Sequence, residues 1–137
     1  MPKHTINPPD LFNSLQYGFS QIVVSQGSQQ VHISGQVAWD AQSQIIGPGD
    51  LRAQTMASFE NLDRAIQHAG GTLEDIVSLR IYIVQSVIDQ DRYVTEGLRR
   101  FFPQHPPAST WIAVPALSMP DFLIEIEAFA VLAGDIQ

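Results

Sequence analysis

The alternation of apolar and polar positions is clearest near the end of the chain, over residues 123–132. One set of alternate positions is apolar throughout: Ile124, Ile126, Ala128, Ala130 and Leu132. The other set carries Glu125 and Glu127 between large apolar residues. Because successive side chains of a strand point to opposite faces, the pattern predicts a strand whose apolar face lies on the core. Carboxylates in such a setting lie either at a solvated edge or in a cleft.

Shorter apolar runs predict four further strands, at 21–24, 30–37, 77–84 and 110–114. In the third of these, the odd positions are apolar and the even ones include Arg80 and Tyr82. Gly35 interrupts the second run, which indicates a β-bulge or a close approach of the backbone to a ligand.

Two helices are predicted between the strands. The first begins after Asp50, which is a good N-cap, and ends at Gly70-Gly71. The second spans 89–102, where Gly97 is expected to cost up to ~1 kcal/mol relative to alanine. With an irregular N-terminal arm over residues 1–17, the order becomes β-β-α-β-α-β-β. This order predicts an α+β fold in which both helices pack on one face of a mixed sheet.

Composition limits the kind of protein this chain can be. Its 137 residues, 45% of them hydrophobic, suit a single domain over 1–137. The net charge of −7 argues against a nucleic-acid partner, because phosphate binding needs concentrated Lys and Arg. With no cysteine and four scattered histidines, no metal site is expected. Apolar runs fall well short of the ~18 residues that a membrane span needs, so we expect a cytoplasmic protein without a membrane partner.

Several short motifs occur in a fixed order along the chain. They are Ser34-Gly35-Gln36, Phe59-Glu60-Asn61-Leu62, Ala69-Gly70-Gly71-Thr72, Pro107-Ala108-Ser109-Thr110 and the closing Ile124-Glu125-Ile126-Glu127-Ala128-Phe129-Ala130. In this order and spacing the chain resembles the Rid family, also called YjgF/YER057c/UK114, from about Phe19 to Ala133. The resemblance implies a chorismate mutase-like fold and a homotrimer with small ligands in clefts between subunits.

Three large apolar residues bear on that assembly: Trp111, Leu123 and Phe129. They are poor solvent-facing residues on the sheet face away from the helices, so we expect them at a subunit interface or beneath the N-terminal arm.

The resemblance also implies a set of site residues. Glu125 matches a cleft glutamate that positions or activates water, and Gly35 matches a position whose backbone contacts the ligand. Imine hydrolysis needs an activated water and delivery of a proton to nitrogen, and one carboxyl group can serve both steps. Ser109 stands where deaminating members carry an arginine for a substrate carboxylate, and a serine supplies no charge.

Other family positions are altered too. Phe19 stands at a cleft tyrosine, with Tyr17 two residues away as a possible substitute, and Thr95 stands at an asparagine of the second helix. Ser109 and Thr110 can offer hydroxyl groups to an uncharged substrate. Arg80 is expected either to replace the missing cation or to pair with a glutamate.

These residues support three hypotheses. The first is a hydrolase without a cofactor that acts on a small imine or enamine, but not on small carboxylate-bearing imines. The second is a non-catalytic trimer that senses a small ligand or binds a partner, since three polar contacts of the family are altered. The third, an endoribonuclease activity also attached to this family, is the weakest because the chain is acidic and no histidine pair is evident.

Overall fold

The computed structural model describes residues 3–136. Within that range the strands are β1 Lys3–Ile6, β2 Ile22–Ser25, β3 Gln29–Gln36, β4 Ile76–Val84, β5 Ala108–Val114 and β6 Ile124–Leu132. The α-helices are α1 Leu51–His68 and α2 Arg92–Phe101, and short 3-10 helices occupy Ser14–Tyr17, Leu73–Asp75 and Gln85–Gln90. From β2 onward this is the predicted β-β-α-β-α-β-β order. Neither α-helix of the described chain is long and apolar enough to cross a membrane.

The larger sheet has the strand order β3-β6-β4-β5. Strand β6 runs antiparallel to both neighbours, whereas β4 and β5 are parallel, so the sheet is mixed as predicted. Both helices cover one face, where their apolar side chains join those of β4 and β6 in one core. The predicted core positions of β6 are all buried, from Ile124 to Leu132 in steps of two. Their alternation therefore identified the inner face correctly.

The prediction of an irregular arm over residues 1–17 was partly wrong. Lys3–Ile6 is a strand that pairs antiparallel with β2 in a second, two-stranded sheet, and Ser14–Tyr17 forms a 3-10 turn. Lys3 anchors the strand, because its ammonium donates to the backbone carbonyls of Glu74, Ile76 and His105 at 2.9 to 3.0 Å. Burial lowers the pKa of Lys3, against the opposing effect of nearby acidic groups. Met1 and Pro2 lie outside the described residues.

The ends of the helices follow local signals only in part. The Asp50 carboxylate accepts from the amide of Ala53 at 3.0 Å, so the predicted N-cap is confirmed. Gly70 follows α1 with a φ of 93°, a left-handed value that favours glycine at a helix end. The second helix is shorter than predicted, because the chain first makes the tight 3-10 turn at Gln85–Gln90.

Gly97 allows the two helices to approach each other closely. A Cβ at this position would lie 2.7 Å from Cε2 of Phe59, which is fully buried. Phe59 in turn stacks on Phe101, with ring centroids 5.3 Å apart, and meets Phe102 edge-on at 6.0 Å. Its ring is therefore held on both sides and has little room to move.

We expect Gly97→Ala to destabilise the fold, although alanine is the better helix former. The steric cost of overpacking, typically about 1–3 kcal/mol, exceeds the gain in helix propensity of about 1 kcal/mol. Denaturant unfolding should show a lower midpoint for this variant. Arg100→Ala, at an exposed position of the same helix, is the control and should change the free energy of unfolding by less than about 0.5 kcal/mol. An increased stability of Gly97→Ala would contradict this account of the packing.

Candidate functional site

Within the described chain, the face of the larger sheet opposite the helices carries a polar network. The strand register sets Arg80 beside Glu127 and Tyr82 beside Glu125. The Tyr82 hydroxyl donates to Oε1 of Glu127 at 2.6 Å, and Nη1 of Arg80 lies 3.7 Å from the same oxygen. Arg80 thus pairs with a glutamate, which is one of the two roles expected for it. The hydrogen bond to Glu127 is the main cause that raises the pKa of Tyr82.

Glu125 lies directly against the backbone of Gly35. The β3–β6 register shifts between Ile33 and Gln36, so the predicted bulge at Gly35 is present. A Cβ at this position would come within 2.6 Å of Cδ of Glu125, which leaves no space for any side chain. The two residues that the family resemblance places in the cleft are therefore neighbours. We call this pair the glutamate half of the site.

Aromatic side chains gather at the outer edge of β5. The ring of Trp111 lies 5.8 Å from that of Phe19 and 6.5 Å from that of Tyr17, and Phe12 meets Phe19 edge-on at 6.3 Å. Trp111 therefore packs beneath the N-terminal arm, one of the two environments expected for it. It pairs with the buried Ile81, however, so it lies on the helix side of the sheet and the expectation that it faces away from the helices was wrong. Its indole Nε1 donates to Oγ of Ser109 at 2.9 Å. The Ser109 hydroxyl thus already accepts a hydrogen bond.

Two cavities meet at this cluster. The larger, of about 1100 Å³, extends from His32 and Phe129 along the open sheet face to Trp111, and Arg80 and Thr110 also line it. The smaller, of about 460 Å³, lies between α2 and the arm and contains Thr95. Tyr17, Asp91 and Trp111 line both. The residues Tyr17, Phe19, Thr95, Ser109 and Trp111 form what we call the aromatic half of the site.

A buried polar group also faces the larger cavity. Ser20 lines it, is 1% exposed, and its hydroxyl has no hydrogen-bond partner among the described residues. Its backbone amide donates to the carbonyl of Pro107 at 3.0 Å, which holds this segment against the start of β5.

The two halves do not meet within one chain. Ser109 pairs with Leu79, which faces the helices, whereas Glu125 pairs with Tyr82 on the open face. Glu125 and Ser109 lie two strands apart and three residues apart along the strand direction. Standard strand spacings put their Cα atoms about 14 Å from each other. Ser109 lines the larger cavity, whereas Glu125 lines neither of the two cavities.

Some lining residues were not predicted as ligand-binding residues, although Trp111 was expected at an interface or beneath the arm, and Arg99 or Arg100 at the surface or the rim of a cleft. Trp111 follows Ser109 by two residues and so shares its face of the strand, a signal that the alternation did contain. Arg92 and Arg99 line the smaller cavity on either side of Thr95, at spacings typical of one helix face. Phe12 lies in a segment without any periodicity, so no local signal indicates its role.

Comparison with known proteins agrees with this architecture. Residues 13–132 match the family model described as Endoribonuclease L-PSP. The chain is similar to the Rid-family protein YyfB of Yersinia pestis, a protein of unknown function, with 38% identity, a TM-score of 0.91, and coverage of 96% of this chain and 100% of that one. A Thermotoga maritima protein described as a proposed endoribonuclease is 31% identical, with a TM-score of 0.70 over 85% and 87% of the two chains. E. coli TdcF, solved with bound serine, is 28% identical, with a TM-score of 0.68 over 95% and 92%.

We expect Gly35→Ala to displace the Glu125 carboxylate, because the added methyl group would occupy its position. The carboxyl carbon resonance of Glu125 in an NMR spectrum should therefore shift, with the fold retained. Gln30→Ala is the control, since it changes an exposed side chain of the same strand away from Glu125. An unchanged Glu125 resonance in Gly35→Ala would mean that the two residues are not in contact.

Proposed function

The chain belongs to the Rid family, whose family model is described as Endoribonuclease L-PSP, and from this premise we propose that it hydrolyses a small imine or enamine without a cofactor. The observation that carries the proposal is the position of Glu125, whose carboxylate lies over the Gly35 backbone at one end of an open sheet face. A carboxylate packed against a glycine backbone can accept a proton from a water molecule, and the polar groups of that backbone can contact a planar substrate group.

The catalytic cleft forms between two copies of the chain. Its glutamate half and aromatic half lie about 14 Å apart and on opposite faces of one sheet, so one chain cannot close a cleft around a small molecule. A second copy that covers the open face brings its own aromatic half to the glutamate half of the first. The family resemblance favours three such copies, a homotrimer with one cleft at each interface.

The reaction follows from the chemistry of a carboxylate and a water molecule. Glu125 takes a proton from water as the water oxygen bonds to the imine carbon, and then returns a proton to the nitrogen. This gives a carbinolamine; its hydroxyl proton then passes to the nitrogen by way of Glu125 as the carbon–nitrogen bond breaks, leaving a carbonyl compound and ammonia or an amine. An enamine enters the same route after its tautomerisation to the imine. Gly35 contacts the substrate through its backbone, and Thr110 offers a hydroxyl group.

Ser109 determines which substrates are excluded. It carries no charge, and its oxygen already accepts a hydrogen bond from Trp111. Small imines with a free carboxylate therefore lose the bidentate partner that an arginine would supply at this position.

One alternative is a trimer that binds a small ligand or a partner without catalysis. The altered positions Phe19, Thr95 and Ser109 favour it, since they remove polar contacts of the family while the cavities remain. Substitution of Glu125 distinguishes the two functions, because it abolishes turnover in an enzyme but only changes affinity in a sensor.

A second alternative is RNA cleavage, which the description of the family model favours. The net charge of −7 opposes it, because RNA binding draws its affinity from basic residues. His32 packs against Phe129 and His105 lies 3.2 Å from Glu74, so neither has a histidine partner for acid–base chemistry. No RNA binding is expected at any salt concentration.

We expect wild-type protein to accelerate hydrolysis of imines generated in situ that lack a carboxylate next to the imine carbon. Glu125→Ala should lower the rate by about 10²–10⁴-fold, the usual contribution of a general acid–base group. Ser109→Arg should gain activity on small 2-imino acids, since it restores a cation. Release of ammonia and carbonyl product measures both effects. Equal rates of imine hydrolysis in wild type and Glu125→Ala would show that Glu125 takes no part in the reaction.

We also expect the protein to have the mass of three 15.1 kDa chains in solution, measured by light scattering. Glu125→Ala and Trp111→Ala should each lose most turnover, because each damages a different half of the cleft. Oligomers assembled from both variants should regain part of it, since some clefts combine two intact halves. A site within one chain predicts no recovery of activity in the mixed oligomers. Absence of recovery would therefore contradict a cleft built from two chains.

A further inference from the structure

We propose that Arg92 and Arg99 of α2 hold the carboxylate of an aromatic ligand in the smaller cavity, and so replace the charge that Ser109 lacks. The ligand class is an aryl carboxylate whose acid group lies several bonds from its carbon–nitrogen or carbonyl group. That the protein hydrolyses such a ligand rests on the proposed function. That the smaller cavity binds the ligand does not depend on the role of Glu125.

The geometry of α2 brings the two cations to one wall. Arg92, Thr95 and Arg99 are three and four residues apart, a spacing that sets side chains on one face of a helix. All three line the smaller cavity, with Tyr17 and Trp111 also in its lining. Thr95 lies between the arginines and adds a hydroxyl group to the same wall.

Arg99 and Arg92 are each oriented by a contact that leaves other donors free. Nη2 of Arg99 donates to the carbonyl of Gln16 in the arm at 2.5 Å. Nη2 of Arg92 donates to the hydroxyl of Tyr93 at 3.1 Å, and its guanidinium lies 4.5 Å from the centre of that ring. A guanidinium has five N–H donors in a rigid fork, so both side chains retain the edge that a carboxylate needs.

The carboxylates around the cavity do not cancel these charges. Glu96 is already bound by Arg52, whose Nε lies 3.0 and 3.1 Å from its two carboxylate oxygens. The hydrogen bonds from Arg52 lower the pKa of Glu96, in keeping with a paired carboxylate. Asp91 is the other acidic residue in the lining, against two arginines. The cavity therefore has a local positive excess in a chain whose net charge is −7.

The rest of the lining selects the shape of the ligand. Tyr17 and Trp111 present aromatic rings, which suit a flat aromatic group, and about 460 Å³ lies within the usual range of small-molecule sites. Trp111 also lines the larger cavity, which continues toward the open sheet face. An acid group at α2 thus leaves the far end of an aromatic ligand pointing past Ser109 into the proposed cleft. A small 2-imino acid is too short to use both positions.

Binding of 4-acetylbenzoate tests the inference, with its methyl ester as a neutral control of nearly the same shape. In isothermal titration calorimetry, wild-type protein should bind the acid at least tenfold more tightly than the ester. Arg99→Gln and Arg92→Gln should each weaken binding of the acid about tenfold or more and leave the ester unaffected. Arg100→Gln removes the same charge from the same helix at a position outside the cavity lining, and should stay within twofold of wild type.

The outcomes separate this inference from the proposed reaction. Calorimetry of 4-acetylbenzoate involves no turnover, so loss of binding in Arg92→Gln and Arg99→Gln supports the inference whether or not the protein hydrolyses imines. Arg92→Gln keeps the arm contact of Arg99 intact, so it remains informative if Arg99→Gln disturbs the fold. The inference is overturned if acid and ester bind equally, or if Arg92→Gln and Arg99→Gln behave like Arg100→Gln.

Discussion

Strand β6 lies between β3 and β4, and its strict alternation of side chains connects the core to the candidate site. Its inward positions pack against α1 and α2, whereas its outward positions carry Glu125 and Glu127. A shift of one residue in the pairing would exchange the two faces and bury both carboxylates. Burial of the apolar face therefore determines where the carboxylates lie. Glu125 lies against the bulge at Gly35 on β3, and Glu127 accepts a hydrogen bond from Tyr82, its diagonal neighbour on β4.

The same sheet separates the site into two halves. Ser109 and Trp111 lie on the edge strand β5 and meet the aromatic residues that follow the N-terminal arm, while Glu125 lies on the opposite face. The helices leave one sheet face open, and a large open face with half-buried aromatic groups favours contact with another subunit. The proposed trimer would thus complete the cleft as well as cover this face. In such an arrangement assembly and activity depend on the same surface.

The positive charge of the proposed ligand site lies on α2 and not on β5. On β5 the Ser109 hydroxyl accepts a hydrogen bond from Trp111, so this edge offers aromatic rings and carries no cation of its own. The guanidinium groups of α2 lie on another wall of the connected cavities, and Arg52 compensates the nearest glutamate. In the proposed binding mode, the position of these cations on a helix selects the length and shape of the acid that fits. Specificity within this fold can therefore change through a few side chains while the backbone stays the same.

Local patterns in the sequence were enough for the elements that local forces control. The alternation of β6, the Asp50 cap, the glycine after α1 and the bulge at Gly35 each depend on a few neighbouring residues, and all were predicted. The tertiary structure decided the rest. The Lys3 ammonium anchors β1 by hydrogen bonds to backbone carbonyls 71 to 102 residues away in the sequence. Arg80 pairs with Glu127 because the strand register places them side by side. The nearness of Glu125 to Gly35, and its separation from Ser109, likewise follow from which strands pair and in what register. These arrangements arise from long-range pairing, which no short window of sequence encodes, because the partner residues are brought together only when the sheet closes.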